Sequence, residues 1–278
     1  MASANNETTT FTEPPDIRPF EWLTSPASLE ILIRQYVLNR RHEEKSNADL
    51  VSQVTTDAEN DVHDDASTQQ LHALHVGCGS STVGEFLVQD LGFAKVVNVD
   101  RDENIMTQMQ RRWQETVIEH NGKDDNVASS MEFLTLDFTK QRLPEQYNDS
   151  FHLVLDKSTL DCTLCSDIAT ASLLLEVYRT LKQDGGVYLV ISFHDLELLL
   201  PLLQDLPGAE WDVEHTTMAR QVEQLHVNGG TNKSSPAAVV SPGAVVSDTD
   251  APLTARKPLN VLICRRHVGT AHDQPNDT

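Results

Sequence analysis

No stretch of about 18 apolar residues runs through this chain, and its N-terminus has no basic segment followed by an apolar one. Both absences speak against a membrane-spanning helix and a secretory signal, so a soluble, unsecreted protein is expected. Cysteine is scarce too: Cys78, Cys162, Cys165 and Cys264 are too few for a disulfide scaffold, and only Cys162 and Cys165 stand at a metal-like spacing. Without a second close pair no metal site is expected, and reduced thiols fit a cytoplasmic protein. Positive charge is short, with 21 Lys and Arg against 42 Asp and Glu and a formal net charge of -21. Such a surface repels nucleic-acid phosphates and anionic membranes, so neither is expected as a partner; a basic protein or a small molecule fits better. At 39% the hydrophobic fraction is low for a chain that is globular throughout, which points to a folded core carrying polar insertions.

Residues 1–17 are rich in Thr, Asn, Glu and Pro, with no Arg in the first 15, and read as a disordered tail. Within 18–41, Phe20-Glu21-Trp22-Leu23 leads to Ser28 as a helix cap and then to the apolar residues Leu29, Ile31, Leu32, Ile33, Tyr36 and Val37, a pattern that predicts an amphipathic helix. Residues 42–70 read as an acidic flexible insertion. From 71 to 221, short apolar runs (Leu71–Val76, Ala94–Val99, Met131–Leu136, Phe151–Leu155, Val187–Ser192, Trp211–Thr217) alternate with helical patterns. Those patterns span Thr82–Leu91, Glu103 to about Ile118, Ile168–Leu181 and Asp195–Gln204. Residues 222–258, with two Ser-Pro steps and a Gly-Gly pair, read as a flexible loop. A final sheet strand follows in 259–267, and 268–278 is a second disordered tail. The alternation predicts one α/β domain, a Rossmann-like, doubly wound, mostly parallel sheet of seven strands with helices on both faces.

In such a sheet, ligands sit outside the carboxyl ends of the strands, where the strand order reverses. Gly77, Asp100, Asp137 and Asp156 stand at four successive strand ends, so folding would gather them on one rim. In Gly77-Cys78-Gly79 the glycines permit a tight turn and close backbone approach, and the helix that follows would aim its free N–H groups at the ligand. Asp100, followed by Arg101, is placed to accept hydrogen bonds from both hydroxyls of a ribose. Asp137 would accept from an adenine amino group, with Phe138 against the ring. A dinucleotide fingerprint requires a third glycine where Thr82 stands, which weakens a pyrophosphate reading.

The segments Leu74-His75-Val76-Gly77-Cys78-Gly79-Ser80-Ser81, Val96-Val97-Asn98-Val99-Asp100, Phe133-Leu134-Thr135-Leu136-Asp137 and Asp156-Lys157-Ser158-Thr159-Leu160-Asp161 resemble seven-strand, S-adenosylmethionine-dependent methyltransferases. More narrowly, they look like the methyltransferase-like protein lysine methyltransferases that act on elongation factor 1A or citrate synthase. Phe20-Glu21-Trp22 and Leu175-Glu176-Val177-Tyr178-Arg179 add to the match, which covers roughly residues 18–200. This chain has Ser158 where that group usually has glycine, Leu23 where tyrosine often follows Phe-Glu-Trp, and Ser80 where asparagine is usual. The resemblance implies S-adenosylmethionine as cofactor and a lysine-bearing protein as acceptor, for which the acidic surface suits a basic one. It also implies that Glu21 and Trp22 lie near the cofactor's methionine end or the acceptor entrance, and that Asp156, Lys157 and Thr159 form the wall where acceptor meets methyl group.

From the residues alone, Asp156 is suited to hold an incoming ammonium, and Lys157 to pair with Asp156 or Asp161. His194-Asp195 is a candidate base pair, although transfer to an amine needs mainly alignment and an unprotonated nitrogen. Two other readings stay open: a small-molecule amine methyltransferase on the same scaffold, and an interaction protein that keeps the fold without the chemistry.

Overall fold

The computed structural model describes residues 17–39, 70–121, 125–220 and 257–267. Residues 1–16, 40–69 with all but the last residue of the acidic insertion, 122–124, 221–256 with most of the long loop, and the tail after 267 lie outside them.

Helix α1 (Pro26–Ile33) opens the domain and continues as one wider turn, Arg34–Leu38. It starts before the anticipated cap: Ser25 takes the extended capping conformation and Pro26 occupies the first turn. A proline there has its φ preset for the helix and lacks only an N–H that would have no partner anyway. Then come β1 (His72–Val76), α2 (Val83–Gln89), β2 (Lys95–Asp100), α3 (Glu103–Asn121), the short α4 (Asp125–Ala128) and β3 (Met131–Thr135). The chain proceeds through β4 (Leu153–Lys157), α5 (Thr159–Thr163), α6 (Asp167–Thr180), β5 (Val187–Ser192), α7 (Leu196–Gln204), β6 (Trp211–Met218) and β7 (Leu259–Arg266).

The seven strands lie in the order β3-β2-β1-β4-β5-β7-β6. All pairs from β3 to β5 are parallel, and β7 is antiparallel to both its neighbours, β5 and β6. From β1 the chain steps outward to β2 and β3, then returns to lay β4 on the other side of β1, so the order reverses between β1 and β4. At that seam Val76 registers with Val99 on one side and with Asp156 on the other.

Both faces of the sheet are covered. Leu74, Val76, Val154, Tyr188 and Leu262 pack with Leu173, Val177 and Leu199 from α6 and α7. Ala73, Val96, Leu155, Leu189 and Val261 pack with Leu29 and Ile33 of α1, Leu87 of α2 and Trp113 of α3. Strands buried on both faces read as continuous apolar runs, which is why β4 and β5 carry so few polar residues. The exceptions inside β4, Asp156 and Lys157, are therefore informative. Among the described residues no helix is long and apolar enough to cross a membrane.

Candidate active site

At the β1/β4 seam, outside the carboxyl ends of the strands, opens a cavity of about 470 Å3, within the size range of small-molecule sites. Of the residues singled out from the sequence, Trp22, Gly77, Cys78, Gly79, Asp100, Arg101, Asp137, Phe138, Lys157 and Thr159 line it. Asp156 does not, and that expectation is corrected below.

The turn after β1 needs its glycines. Gly77 has φ +56° and Gly79 φ +52°, a left-handed backbone that side chains disfavour. A Cβ on Gly77 would also lie 2.1 Å from the Thr159 hydroxyl, which donates to the Val76 carbonyl at 2.9 Å and so ties the β1 turn to the loop after β4. A Cβ on Gly79 would meet nothing within 4 Å. The third glycine of a dinucleotide site serves close packing of helix on strand. Here Gly84 does that work two residues later, since a Cβ on it would stand 2.5 Å from the Asn98 side chain.

Asp100 ends β2 with both oxygens partly engaged: one accepts from Gly79 N–H at 2.9 Å, the other from Asp102 N–H at 3.0 Å. Each carboxylate oxygen keeps a further acceptor position toward the cavity. Asp137 accepts from the Thr139 hydroxyl at 2.6 Å and from Lys140 at 2.8 Å. The Lys140 and Thr139 hydrogen bonds hold its carboxyl down to about 2. Val99, Ile105, Leu136 and Phe138 supply apolar walls between these two acids. The Cys78 thiol also faces the cavity; burial and then the Asp100 carboxylate push it up, so it stays neutral.

The structure corrects the roles assigned to Asp156 and Lys157. Asp156 is fully buried behind the wall. One oxygen accepts from Thr159 N–H at 2.7 Å, the other from Leu160 N–H at 3.0 Å and from the Tyr188 hydroxyl at 2.9 Å. It therefore shapes the start of α5 and does not present a charge to an incoming ammonium. Burial pushes its carboxyl up to about 7 against the pull of those hydrogen bonds.

Lys157 pairs with neither Asp156 nor Asp161 but with Glu21, 136 residues earlier, in a contact where both side chains are buried. Glu21 also accepts from the Ser81 hydroxyl at 2.8 Å, the Thr82 N–H at 2.6 Å and the Thr82 hydroxyl at 2.8 Å. Burial alone would raise the Glu21 carboxyl; the Lys157 ammonium and these donors hold it below its ordinary value. The expectation that α2 would aim free N–H groups at a ligand is thus corrected at Thr82, because the chain's own carboxylate caps that helix start. A phosphate brought to the Thr82 amide would face that carboxylate. His75, fully buried in β1, is held down to about 3 by burial and by Lys157, and stays neutral beside the pair.

Phe20, Ser80, Ser81, Ser158, Cys162 and Thr163 also line the cavity. The Arg220 guanidinium stands over the Trp22 ring, 5.9 Å from its centroid. Ser158 adopts φ +75° ahead of α5, the reason a glycine suits that position, and its hydroxyl donates to Asp161 at 2.8 Å. His194 does not reach the lining, and Asp195 is engaged by Lys257. Among the described residues no cluster of His, Cys, Asp and Glu could hold a metal, and the four cysteines are free.

A family model described as a methyltransferase domain matches residues 74–189. The eEF1A lysine and N-terminal methyltransferase of Bos taurus is 32% identical over 157 residues, which is 55% of this chain and 20% of that protein. The Homo sapiens protein of the same name is 31% identical over 159 residues with the same two shares. Methyltransferase srdJ of Neurospora crassa is 29% identical over 143 residues, 51% of this chain and 54% of that one. The chain thus spans about a fifth of the length of the animal relatives. Among solved structures, a SAM-dependent methyltransferase from Methanosarcina mazei aligns with a TM-score of 0.46 and 14% identity over 76% of this chain and all of that one. That likeness is loose, and the strand order carries the fold without it. Residues 74–189 are thus similar to a methyltransferase domain, and the strands that complete their sheet give it the order β3-β2-β1-β4-β5-β7-β6.

Proposed function

We propose that the chain transfers methyl groups from S-adenosylmethionine to a lysine side chain of a protein, with an elongation factor 1A-like chain as the first acceptor to try. The observation that carries this reading is the convergence on one cavity of the glycine turn, Asp100, Asp137 with Phe138, and Lys157-Ser158-Thr159. The lysine acceptor is supported by the relatives called eEF1A lysine and N-terminal methyltransferases, and a net charge of -21 suits a basic protein. We place the reaction in the cytoplasm, where free cysteines stay reduced.

On this reading Asp100 takes the ribose hydroxyls, Asp137 the adenine amino group and Phe138 the face of the base, with Arg101 at the open edge. Gly77, Cys78 and Gly79 admit the methionine portion by close backbone approach. Thr159 and the backbone of Ser158 wall the acceptor side, and Trp22 forms the lip. Lys157 acts through its pair with Glu21, and Asp156 through the Thr159 and Leu160 N–H groups it holds. The bound cofactor supplies an electrophilic methyl on a sulfonium. The chain's part is alignment, with acceptor nitrogen, methyl and sulfur held in line. A lysine of ordinary pKa, about 10.4, must shed its proton first. Entry past Trp22 into an apolar pocket disfavours the ammonium and assists that loss.

The test incubates cell-extract proteins with the full chain and labelled S-adenosylmethionine and locates methylated lysines by mass spectrometry. Label on a protein lysine, and loss of at least about tenfold in cofactor affinity in Asp100→Ala, are expected, as for removal of a charged hydrogen-bond acceptor. Undiminished cofactor binding in Asp100→Ala would sink the site assignment. Label found only in low-mass products would move the acceptor to a small amine.

A further inference from the structure

The segment ahead of α1 crosses the cavity as a strap whose side chains alternate. Glu21 and Leu23 point inward, at 4% and 1% exposed, while Phe20 and Trp22 stand outward over the opening, at 37% and 44%. The alternation is locked by backbone that an isolated chain would avoid. Leu23 has φ +68°, and the Thr24 N–H donates back to the Trp22 carbonyl at 2.9 Å, closing a three-residue turn. A turn of this kind with positive φ at its centre is rare and strained, so something else must hold it.

What holds it is Glu21. Its carboxylate meets donors from three residues on two separate segments: the Lys157 ammonium at the end of β4, and Ser81 and Thr82 just beyond the glycine turn. Lys157 itself reaches the Ser81 hydroxyl at 3.3 Å. One side chain therefore joins the cofactor cradle, the acceptor wall and the aromatic lip. A buried ion pair is weak evidence for stability, since removing both charges from water costs about as much as their attraction returns; its attested use is to fix one arrangement among several.

We infer that Glu21 is a positioning residue for methyl transfer: by latching the strap to Lys157 and to the start of α2, it sets Trp22 over the cavity and fixes the glycine turn. This rests on the reading of the cavity as a cofactor and acceptor site. Glu21 touches no reacting atom, so its loss acts through the placement of Trp22 and the turn.

Trp22 makes the inference measurable, because the other two tryptophans, Trp113 and Trp211, are buried. The experiment uses the full chain as wild type, Glu21→Gln, Glu21→Gln/Lys157→Met and Trp22→Phe. Each is examined for S-adenosylhomocysteine binding by calorimetry and for acrylamide quenching of tryptophan emission, with the melting temperature recorded. Trp22→Phe defines the quenchable component that belongs to the strap. The double variant buries no unpaired charge and so reports even where the single variant fails to fold. The expected result is a folded double variant in which quenching of Trp22 rises and S-adenosylhomocysteine affinity drops about tenfold, as when a preorganised loop is released. A folded double variant with wild-type quenching and wild-type affinity overturns the latch. If the wild type itself bound no S-adenosylhomocysteine, the cofactor reading would fail, and the quenching comparison would still decide whether Glu21 holds the strap.

Discussion

Two buried carboxylates lie next to Lys157, one beside it in the chain and one paired with it, and they are solved in opposite ways. Glu21 lies on the α2 side with a lysine and a helix start around it. Asp156 lies on the α6 side with only uncharged donors, two backbone N–H groups and the Tyr188 hydroxyl, and with Asp161 nearby to oppose its charge. Burial is severe at both, yet one carboxyl is held low and the other is pushed up to about 7. What separates them is a cation within reach. The number of hydrogen bonds is similar, so charge compensation and not hydrogen-bond count sets the ionisation of a buried acid here.

The sharpest way to break the contrast is to take that cation away. Lys157→Met leaves Glu21 buried without compensation and is expected to destabilise the chain by about 3–5 kcal/mol, read as a shifted denaturant midpoint. Adding Glu21→Gln should recover most of that loss. If it did not, the cost would come from lost packing of the lysine stem and not from the stranded charge.

The two acids should next differ in the sign of their pH dependence. Asp156 has a folded pKa raised above its unfolded value, so the folded chain binds the extra proton between about 4 and about 7. Its contribution to stability is full below about 4 and declines as pH rises through about 7. Glu21 has a lowered folded pKa, so its contribution is present above the ordinary carboxyl range and is lost as pH falls through the lowered value. Melting temperatures across pH 4–8 should therefore show that wild type loses ground to Asp156→Asn as pH rises, by an amount on the order of a few kcal/mol across the window. Parallel pH profiles for wild type and Asp156→Asn would show that Asp156 does not titrate there.

The smallest effect belongs to Ser158, two residues after Asp156. Replacing it with glycine relieves a left-handed backbone worth about 1–2 kcal/mol, but gives up the hydroxyl bond to Asp161 and adds freedom to the unfolded chain. A net change within about 1 kcal/mol is expected in Ser158→Gly. A large gain would mean that Asp161 is held well enough by Ser192 and the Phe193 N–H without it.

The first four strands could be read because each is an apolar run with glycine or an acid at or just beyond its end, a local pattern that survives folding unchanged. Gly77, Asp100 and Asp137 were legible for the same reason, since a strand end and its position on the rim follow from period and spacing. Asp156 looked identical on those terms. Its burial depends on Tyr188 arriving from β5, and nothing near Asp156 in the chain announces that. The Glu21–Lys157 pair was hidden for a related reason, because an ion pair between distant segments has no periodicity. A signal existed, however: Lys157 closes a strand that is apolar but for Asp156 beside it, whose side chain points to the opposite face, so a lysine there must meet a negative charge from elsewhere. The start of α1 was misplaced at Ser28 because a second serine, Ser25, stood just ahead of a proline.

The capped start of α2 also bears on which adenosine compounds the cavity admits. ATP and other adenylates share adenine and ribose with the methyl donor but carry phosphates. In folds that bind them, the helix after the glycine turn leaves its first amides vacant for those phosphates. Here the Thr82 amide is already claimed by Glu21, and a phosphate brought to the turn would face a carboxylate. If the cavity holds the adenosine part of the methyl donor as proposed, this carboxylate would disfavour its phosphorylated relatives at the Thr82 amide.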